Sequence, residues 1–218
     1  MATRIIVVDE TDSTQDEARR HFGYGPVLVV THHQRRGRGR SGAPWVAAPR
    51  AIAASLAWDP GWPTDALPRL ALLAGLAATD LVEAGLEWPN DLVVDDGKVG
   101  GILAEASGGG VVVGLGLNLW WPDPPERFAA LHTTDPGRDA VESTAEAWAD
   151  RLLVRSGAGP GEWGLDDYLA RCRTIGRSIT WSPDGRGTAL SVADDGALVV
   201  DTDAGVVHLR SGAVRDVG

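Results

Sequence analysis

Four short segments of this chain carry charged and polar side chains that a fold alone does not require. The first is Gln34 followed by Arg35-Arg36-Gly37-Arg38-Gly39-Arg40-Ser41-Gly42. Its glycines let the backbone wrap closely round a ligand, and its interleaved guanidiniums donate charge-assisted bonds to a phosphate or carboxylate. The second is Trp88-Pro89-Asn90-Asp91, in which proline fixes the backbone ahead of an amide and a carboxylate. Both groups suit the positioning of a ribose, a metal ion or a water. The third is Asp96-Gly97-Lys98-Val99-Gly100-Gly101, which holds the only lysine of the chain against nineteen arginines. An ammonium is a compact charge with an adjustable pKa, whereas a guanidinium is a planar, permanently charged fork. The fourth is Gly114-Leu115-Gly116-Leu117-Asn118, a strand with alternate side chains deleted. Glycines at such spacing weaken a strand and invite the close approach of a ligand or of another backbone.

Taken singly, each segment also has a plain structural reading: a solvated loop, a strand-entry turn, a leftover surface lysine. Two nucleotide signatures are matched only in part. Gly37, Gly39 and Gly42 fit the spacing of the dinucleotide fingerprint, but that fingerprint must open a helix, and Ala43-Pro44-Trp45 followed by Pro49 does not. Gly97-Lys98 lacks the upstream glycine and the following Ser or Thr of a P-loop. An RNA-binding arginine patch is the remaining rival for the first segment, and a single short patch in an acidic chain supports it weakly.

The elements that must position these groups follow from periodicity and punctuation. Residues 4–9 read as an opening strand, and Ser13 with Asp16 three residues on predicts a capped helix to about residue 21. β-Branched and apolar runs predict strands over 27–31 and 52–58, and helical spacing of apolar residues predicts a helix over 65–84. Residues 92–94 and 99–106 form a hairpin pattern about Asp95-Asp96-Gly97, followed by a central-type strand over 111–117. Ser143 with Glu146 predicts a helix start, and a short helix is expected over 163–173. Beyond Gly176, short β-type runs over 178–182, 188–193, 197–202 and 206–209 alternate with glycine turns. The expected organisation is α+β: a mixed-sheet domain over residues 1–174 and a small barrel-like β domain over 175–218.

Bulk properties narrow the class. Hydrophobic residues make up 44% of 218, enough for a sizeable core. A formal net charge of -10 repels phosphate from the average surface, so no nucleic-acid or membrane partner is expected, and any anion site is a local concentration of positive charge. One cysteine, Cys172, permits no internal disulfide, and the N-terminal apolar run is too short for a signal segment, so the expected location is the cytoplasm.

Order and spacing decide what single motifs leave open. Asp12-Ser13-Thr14, Gln34 with the arginine–glycine loop and Trp45, and Trp88-Pro89-Asn90-Asp91 with Lys98 seven residues beyond come in register with Gly101-Ile102-Leu103-Ala104-Glu105 and Gly114 to Asn118. Together they resemble the biotin protein ligases, the biotin–[acetyl-CoA-carboxylase] ligase family, over nearly the whole chain. The resemblance implies a mixed-sheet catalytic domain with an SH3-like C-terminal β-barrel. It also implies a reaction in which biotin and MgATP give biotinyl-5′-AMP, and a lysine of a biotin carboxyl carrier protein or domain then takes the biotin.

The same resemblance implies roles for individual residues. Lys98 would bridge the biotin carboxylate and the α-phosphate, with Arg38 and Arg40 closing over the adenylate. Ser13, Thr14, Gln34, Gly37, Gly101 and Gly116 would form the biotin pocket, with Trp45 walling the ligand site. Asn90, Asn118 and Asp91 would serve the nucleotide and its Mg²⁺, and Asp91 is equally a candidate for deprotonating the carrier lysine. Three departures from the family pattern stand out: Gln15 where asparagine is common, Glu87 where lysine is common, and Arg35 and Arg36 in place of small or neutral residues. With a strand beginning at residue 4, no helix-turn-helix is expected ahead of it. A lipoate or octanoate ligase and a non-catalytic biotin sensor are the alternatives. Monomer and homodimer both remain open.

Overall fold

The computed structural model describes residues 2–210, 212 and 214–216. A seven-stranded sheet comprises β1 (Arg4–Thr11), β2 (Val27–Gln34), β3 (Arg50–Trp58), β4 (Gly85–Glu87), β5 (Asp91–Val94), β6 (Gly97–Ser107) and β7 (Gly110–Trp120). Its strand order is β1-β2-β3-β7-β6-β5-β4, with β1 and β2 parallel and every other neighbour antiparallel. The helices are α1 (Thr14–His21), α2 (Arg69–Thr79), α3 (Arg138–Ser156) and α4 (Leu165–Arg171). A second, five-stranded antiparallel sheet follows: β8 (Ser178–Trp181), β9 (Gly185–Val192), β10 (Leu198–Thr202), β11 (Gly205–Leu209) and β12 (Val214–Asp216), ordered β11-β10-β9-β8-β12. The α+β class, with a mixed sheet followed by a small antiparallel one, is as the sequence predicts.

Alternation along the strands sorts the two faces of the large sheet. Leu28 and Val30, Ile52 and Leu56, and Val113, Leu115 and Leu117 point into one core with Leu73, Trp148 and Leu152 of α2 and α3. Val27, Val29, Ala57 and Val112 point the other way, where Ala18 of α1 covers them. Gly114 and Gly116 continue that second face without side chains of their own, and Gln15 and Trp45 lie against them beside α1. A depression on a rigid floor results.

A β-bulge sets one side chain of the floor. Asp91 pairs with Gly101 and Leu92 with Gly100, but Val93 pairs with Lys98, so β6 carries one extra residue against β5. An odd residue reverses the alternation beyond it. Lys98 thereby comes onto the face of Gly101, with Nζ 3.6 Å from where a Cβ on that glycine would sit.

Three local expectations are corrected. The helix expected over 65–84 is a 3₁₀ turn, Thr64–Ala66, and then α2 over Arg69–Thr79. Ser143 does not begin a helix: α3 starts at Arg138 after Gly137, and the Ser143 hydroxyl donates back to the Asp139 carbonyl at 2.8 Å. At α1, Ser13 is the N-terminal flanking residue as predicted but makes no side-chain cap bond. Asp16 is turned elsewhere.

Candidate active site

A cleft of about 280 Å³ opens on the α1 face of the sheet. It brings together Ser13, Thr14, Gln34, Arg38, Arg40, Trp45, Asn90, Asp91, Lys98, Gly101 and Gly116, which lie far apart in sequence. Gln15, Ser55, Glu87, Gly114 and Val214 of the second sheet complete the lining that matters chemically.

The inner end is built of neutral groups. Gln34 Oε1 accepts from the Thr14 backbone N–H at 2.8 Å and from its hydroxyl at 3.1 Å, and Thr14 Oγ1 lies 2.8 Å from Ser55 Oγ. The N–H is a fixed donor, which settles the orientation of the Gln34 amide. Gln15, 5% exposed, donates Nε2 to Glu105 Oε2 at 2.9 Å. A carboxylate can only accept, so the Gln15 carbonyl oxygen must face the opposite way. That Oε1 is buried without a hydrogen-bond partner among the described residues and lies 3.0 Å from where a Cβ on Gly114 would stand.

Glycines here make room for side chains of the chain itself. A Cβ on Gly116 would come within 2.6 Å of the Trp45 ring. One on Gly37 would meet Gln34 Nε2 at 2.7 Å and Trp45 Cβ at 3.0 Å. Gly37 therefore seats the tryptophan wall and does not itself line the cleft. The arginine–glycine segment is ordered by its own backbone: Gly39 donates to the Ala43 carbonyl at 2.7 Å and Trp45 to that of Gly37 at 2.9 Å. Ser41 takes a left-handed φ of 55° to make the turn.

The outer end is ionic. Lys98 Nζ lies 2.7 Å from Asp91 Oδ1, each side chain about a third exposed at 32% and 31%. Arg40 donates to Asn90 Oδ1 at 3.2 Å and to the Gly212 carbonyl at 3.3 Å, so a residue beyond the large sheet helps to hold it. Burial pulls the Arg40 pKa below its ordinary value, and the Asp91 charge opposes that pull. Asn90 also closes a pair with Ile102, donating Nδ2 to its carbonyl at 3.0 Å while accepting its N–H at 2.8 Å. Arg38 grips Asp16 of α1 through two bonds of 2.8 Å.

Asn118 stands apart from the other candidates. It is fully buried, accepting the Ala48 N–H on Oδ1 at 3.1 Å and donating Nδ2 to the Ala129 carbonyl at 3.3 Å. Ala129 in turn donates to the Lys98 carbonyl at 3.0 Å, and Lys98 donates to the Arg127 carbonyl at 2.8 Å. Asn118 thus buttresses the backbone that carries the lysine. Of the departures, Arg35 is drawn from the cleft by Asp12 and Glu10 at 2.8 and 2.9 Å, and Glu87 meets Arg177 at 3.4 Å. Sequence reasoning missed Ser55 and Val214, which carry no motif; Ser55 comes to the cleft through the pairing of β3 with β7, and Val214 belongs to the second sheet.

Residues 5–119, more than half of the chain, match the model of the biotin/lipoate A/B protein ligase family. The chain belongs to this family. A biotin–[acetyl-CoA-carboxylase] ligase of Mycobacterium tuberculosis is 33% identical, the match covering 97% of this chain and 88% of that protein. One from Paracoccus denitrificans is 31% identical over 89% of this chain and 93% of its own length. In fold the chain is similar to the biotin protein ligase of Aquifex aeolicus, solved in complex with biotin and ATP. The TM-score is 0.83 at 23% identity, over 98% of this chain and 99% of that one. The fold of this chain is thus that of the solved biotin protein ligase.

Proposed function

We propose that this chain is a biotin–[acetyl-CoA-carboxylase] ligase. It joins the biotin carboxylate to the α-phosphorus of ATP, releasing pyrophosphate, and then passes the biotinyl group to a lysine amine of a carboxyl carrier protein, releasing AMP. The observation that carries the reading is the bulge-directed Lys98 ammonium at the junction of a neutral pocket and an ionic rim. Two anions must meet there, and a fixed cation between them offsets their repulsion most where charge builds up in the transition state. Full-length likeness to two proteins named for this activity supports it.

In this reading the inner end takes the bicyclic head of biotin. Ser13, Thr14 and Gln34 supply its hydrogen bonds, and the free Oε1 of Gln15 accepts a ureido N–H. Gly101 gives the ring and chain space over the sheet, while Gly116 and Gly37 seat Trp45 as the wall. Arg38 and Arg40 close on the adenylate, excluding water from a mixed anhydride that hydrolyses readily. Asn90 and Asp91 face the nucleotide, and Asn118 shapes that side through Ala48 and Ala129.

Among the described residues no three His, Cys, Asp or Glu side chains converge on a metal. Mg²⁺ would enter as part of MgATP, and because it is ordinarily held by substrate phosphates, water and only one or two carboxylates, Asp91 alone would suit it. Once the carrier lysine approaches, the same carboxylate is placed to take its proton. We assign residues 1–174 to the catalytic unit and 175–218 to an SH3-like unit that contributes Gly212 and Val214 to the rim. No described helix is long and apolar enough to cross a membrane. We place the protein in the cytoplasm, acting on a carboxylase carrier.

The test is biotin-dependent exchange of pyrophosphate into ATP, with lipoate and octanoate alongside. Exchange with biotin alone is expected. Exchange with only the other acids would keep the mechanism and overturn the substrate.

A further inference from the structure

The expected capping role of Asp16 leaves unexplained what its carboxylate does. Both oxygens face guanidiniums: Oδ2 accepts from Arg38 Nη1 at 2.8 Å, and Oδ1 accepts from Arg38 Nη2 at 2.8 Å and from Arg19 Nη1 at 3.0 Å. Arg19 also reaches Glu105 Oε2 on β6 at 3.1 Å, the same oxygen that receives the Gln15 amide at 2.9 Å. A continuous run of side chains therefore links the pocket floor to the arginine–glycine loop: Gln15, Glu105, Arg19, Asp16, Arg38. Two cations and two anions alternate along it, so no charge in it is left uncompensated.

We infer that Asp16 is a positioning residue for the ligation reaction: its carboxylate fixes the Arg38 guanidinium at the lining of the cleft before substrate arrives. The inference rests on the reading of the cleft as a biotin and ATP site. End-on bidentate pairing fixes both the place and the plane of a guanidinium, which a single contact does not. Of the five N–H donors of a guanidinium, two go to Asp16, and the others stay available to a ligand. Arg38 lines the cleft while paired, so it need not leave Asp16 to make contact. Asp16 sits on a helix whose first residues, Thr14 and Gln15, line the same cleft, and that helix is packed on the sheet by Ala18. A loop arginine is thus referred to rigid elements, which reduces the ordering that binding would otherwise require. The hydrogen bond from Arg38 holds the Asp16 carboxyl below the ordinary carboxylate range, keeping the pair charged at neutral pH.

The experiment is a double-mutant cycle on the full chain: wild type, Asp16→Asn, Arg38→Ala and the double variant. Each is measured for biotin affinity by calorimetry, and those that turn over are measured for KM and kcat in pyrophosphate exchange. Asp16→Asn is expected to weaken biotin binding and raise KM roughly three- to tenfold, the range of a half-exposed charged pair, with a smaller change in kcat. In the Arg38→Ala background the same substitution is expected to do nothing. Asp16→Glu is expected to recover most of the loss, and thermal melts identify any variant that fails through folding. Unchanged binding in Asp16→Asn, tighter binding, or an equal loss with and without Arg38 would each overturn the role. Absence of exchange in the wild type would instead overturn the parent reading, and this inference with it.

Discussion

The two ends of the cleft are built on opposite plans. At the inner end, Thr14, Gln15, Gln34 and Ser55 are neutral, and hydrogen bonds within the protein settle the orientation of both amides. At the outer end, Lys98, Asp91 and Arg40 carry full charges and stay partly in water. Burying a neutral amide is inexpensive when it is bonded, whereas burying an unpaired charge is not. The inner end can therefore be finished before the ligand arrives, and recognises shape and hydrogen-bond pattern. The outer end holds its charges against one another, and under the proposed function substrate anions replace those partners. In the proposed reading, specificity lies where hydrogen bonds within the protein fix the side chains, and chemistry where charge can be exchanged.

Removing the central charge strikes the outer end hardest. Lys98→Ala is expected to lower pyrophosphate exchange by at least about 10²–10³-fold, the effect of removing a fixed charge from the reacting centre. Biotin binding, read by calorimetry, should fall much less, and the fold, read by circular dichroism, should persist. Near-normal exchange would abolish the distinction between the two ends. Next in size is Gly116→Val. A Cβ alone would press on the Trp45 ring at 2.6 Å, so the tryptophan wall must shift. Biotin affinity should fall by about tenfold or more, with a changed tryptophan emission spectrum. Unaltered emission would mean that Trp45 does not rest on the sheet.

A smaller effect tests the inner end for selectivity. Gln15→Leu removes the buried acceptor that we assign to a ureido N–H, while keeping a similar volume. The ratio of kcat/KM for biotin to that for lipoate, which has no such donor, should drop about tenfold. A ratio that does not move would place the ureido contact elsewhere.

What the sequence could disclose divides along the same line. Groups that act through type and local spacing were legible: the lone lysine, the arginine–glycine loop, the tryptophan-proline turn and the glycine-thinned strand all reach the cleft or its wall. Roles that depend on a distant partner were not. Asn118 carries a motif signal, yet its amide is engaged by Ala48 and Ala129, which only the pairing of β3 with β7 and the course of residues 128–132 bring to it. Asp16 has the spacing of a capping residue and serves Arg38 instead, because a loop 22 residues away folds over the helix. The bulge that turns Lys98 to the cleft is a matter of register between strands, which no single strand's pattern contains.

The weakest expected effect lies furthest from the chemistry and tests how the lysine's support is held. Arg50, at the start of β3, grips Asp135 through two bonds of 2.7 Å, and Gly137 donates its N–H to the same carboxylate at 2.9 Å. That clamp closes the far end of the segment whose residues 127–129 pair with the Lys98 backbone. Chiefly the Arg50 bond, and then the Gly137 N–H, lower the Asp135 pKa from 3.8 to about 2. A depressed carboxyl binds fewer protons in the folded than in the unfolded chain, so its contribution to stability is complete above the unfolded value. That contribution is lost as the pH falls through the folded one. Wild type and Asp135→Asn should therefore differ in urea midpoint at pH 5 to 7 and converge as the pH is taken from about 4 towards 2. A difference that stays constant with pH would show the clamp to act by packing and not by charge. In neither case should pyrophosphate exchange at neutral pH change by more than about twofold, because the exposed pair is worth little by itself.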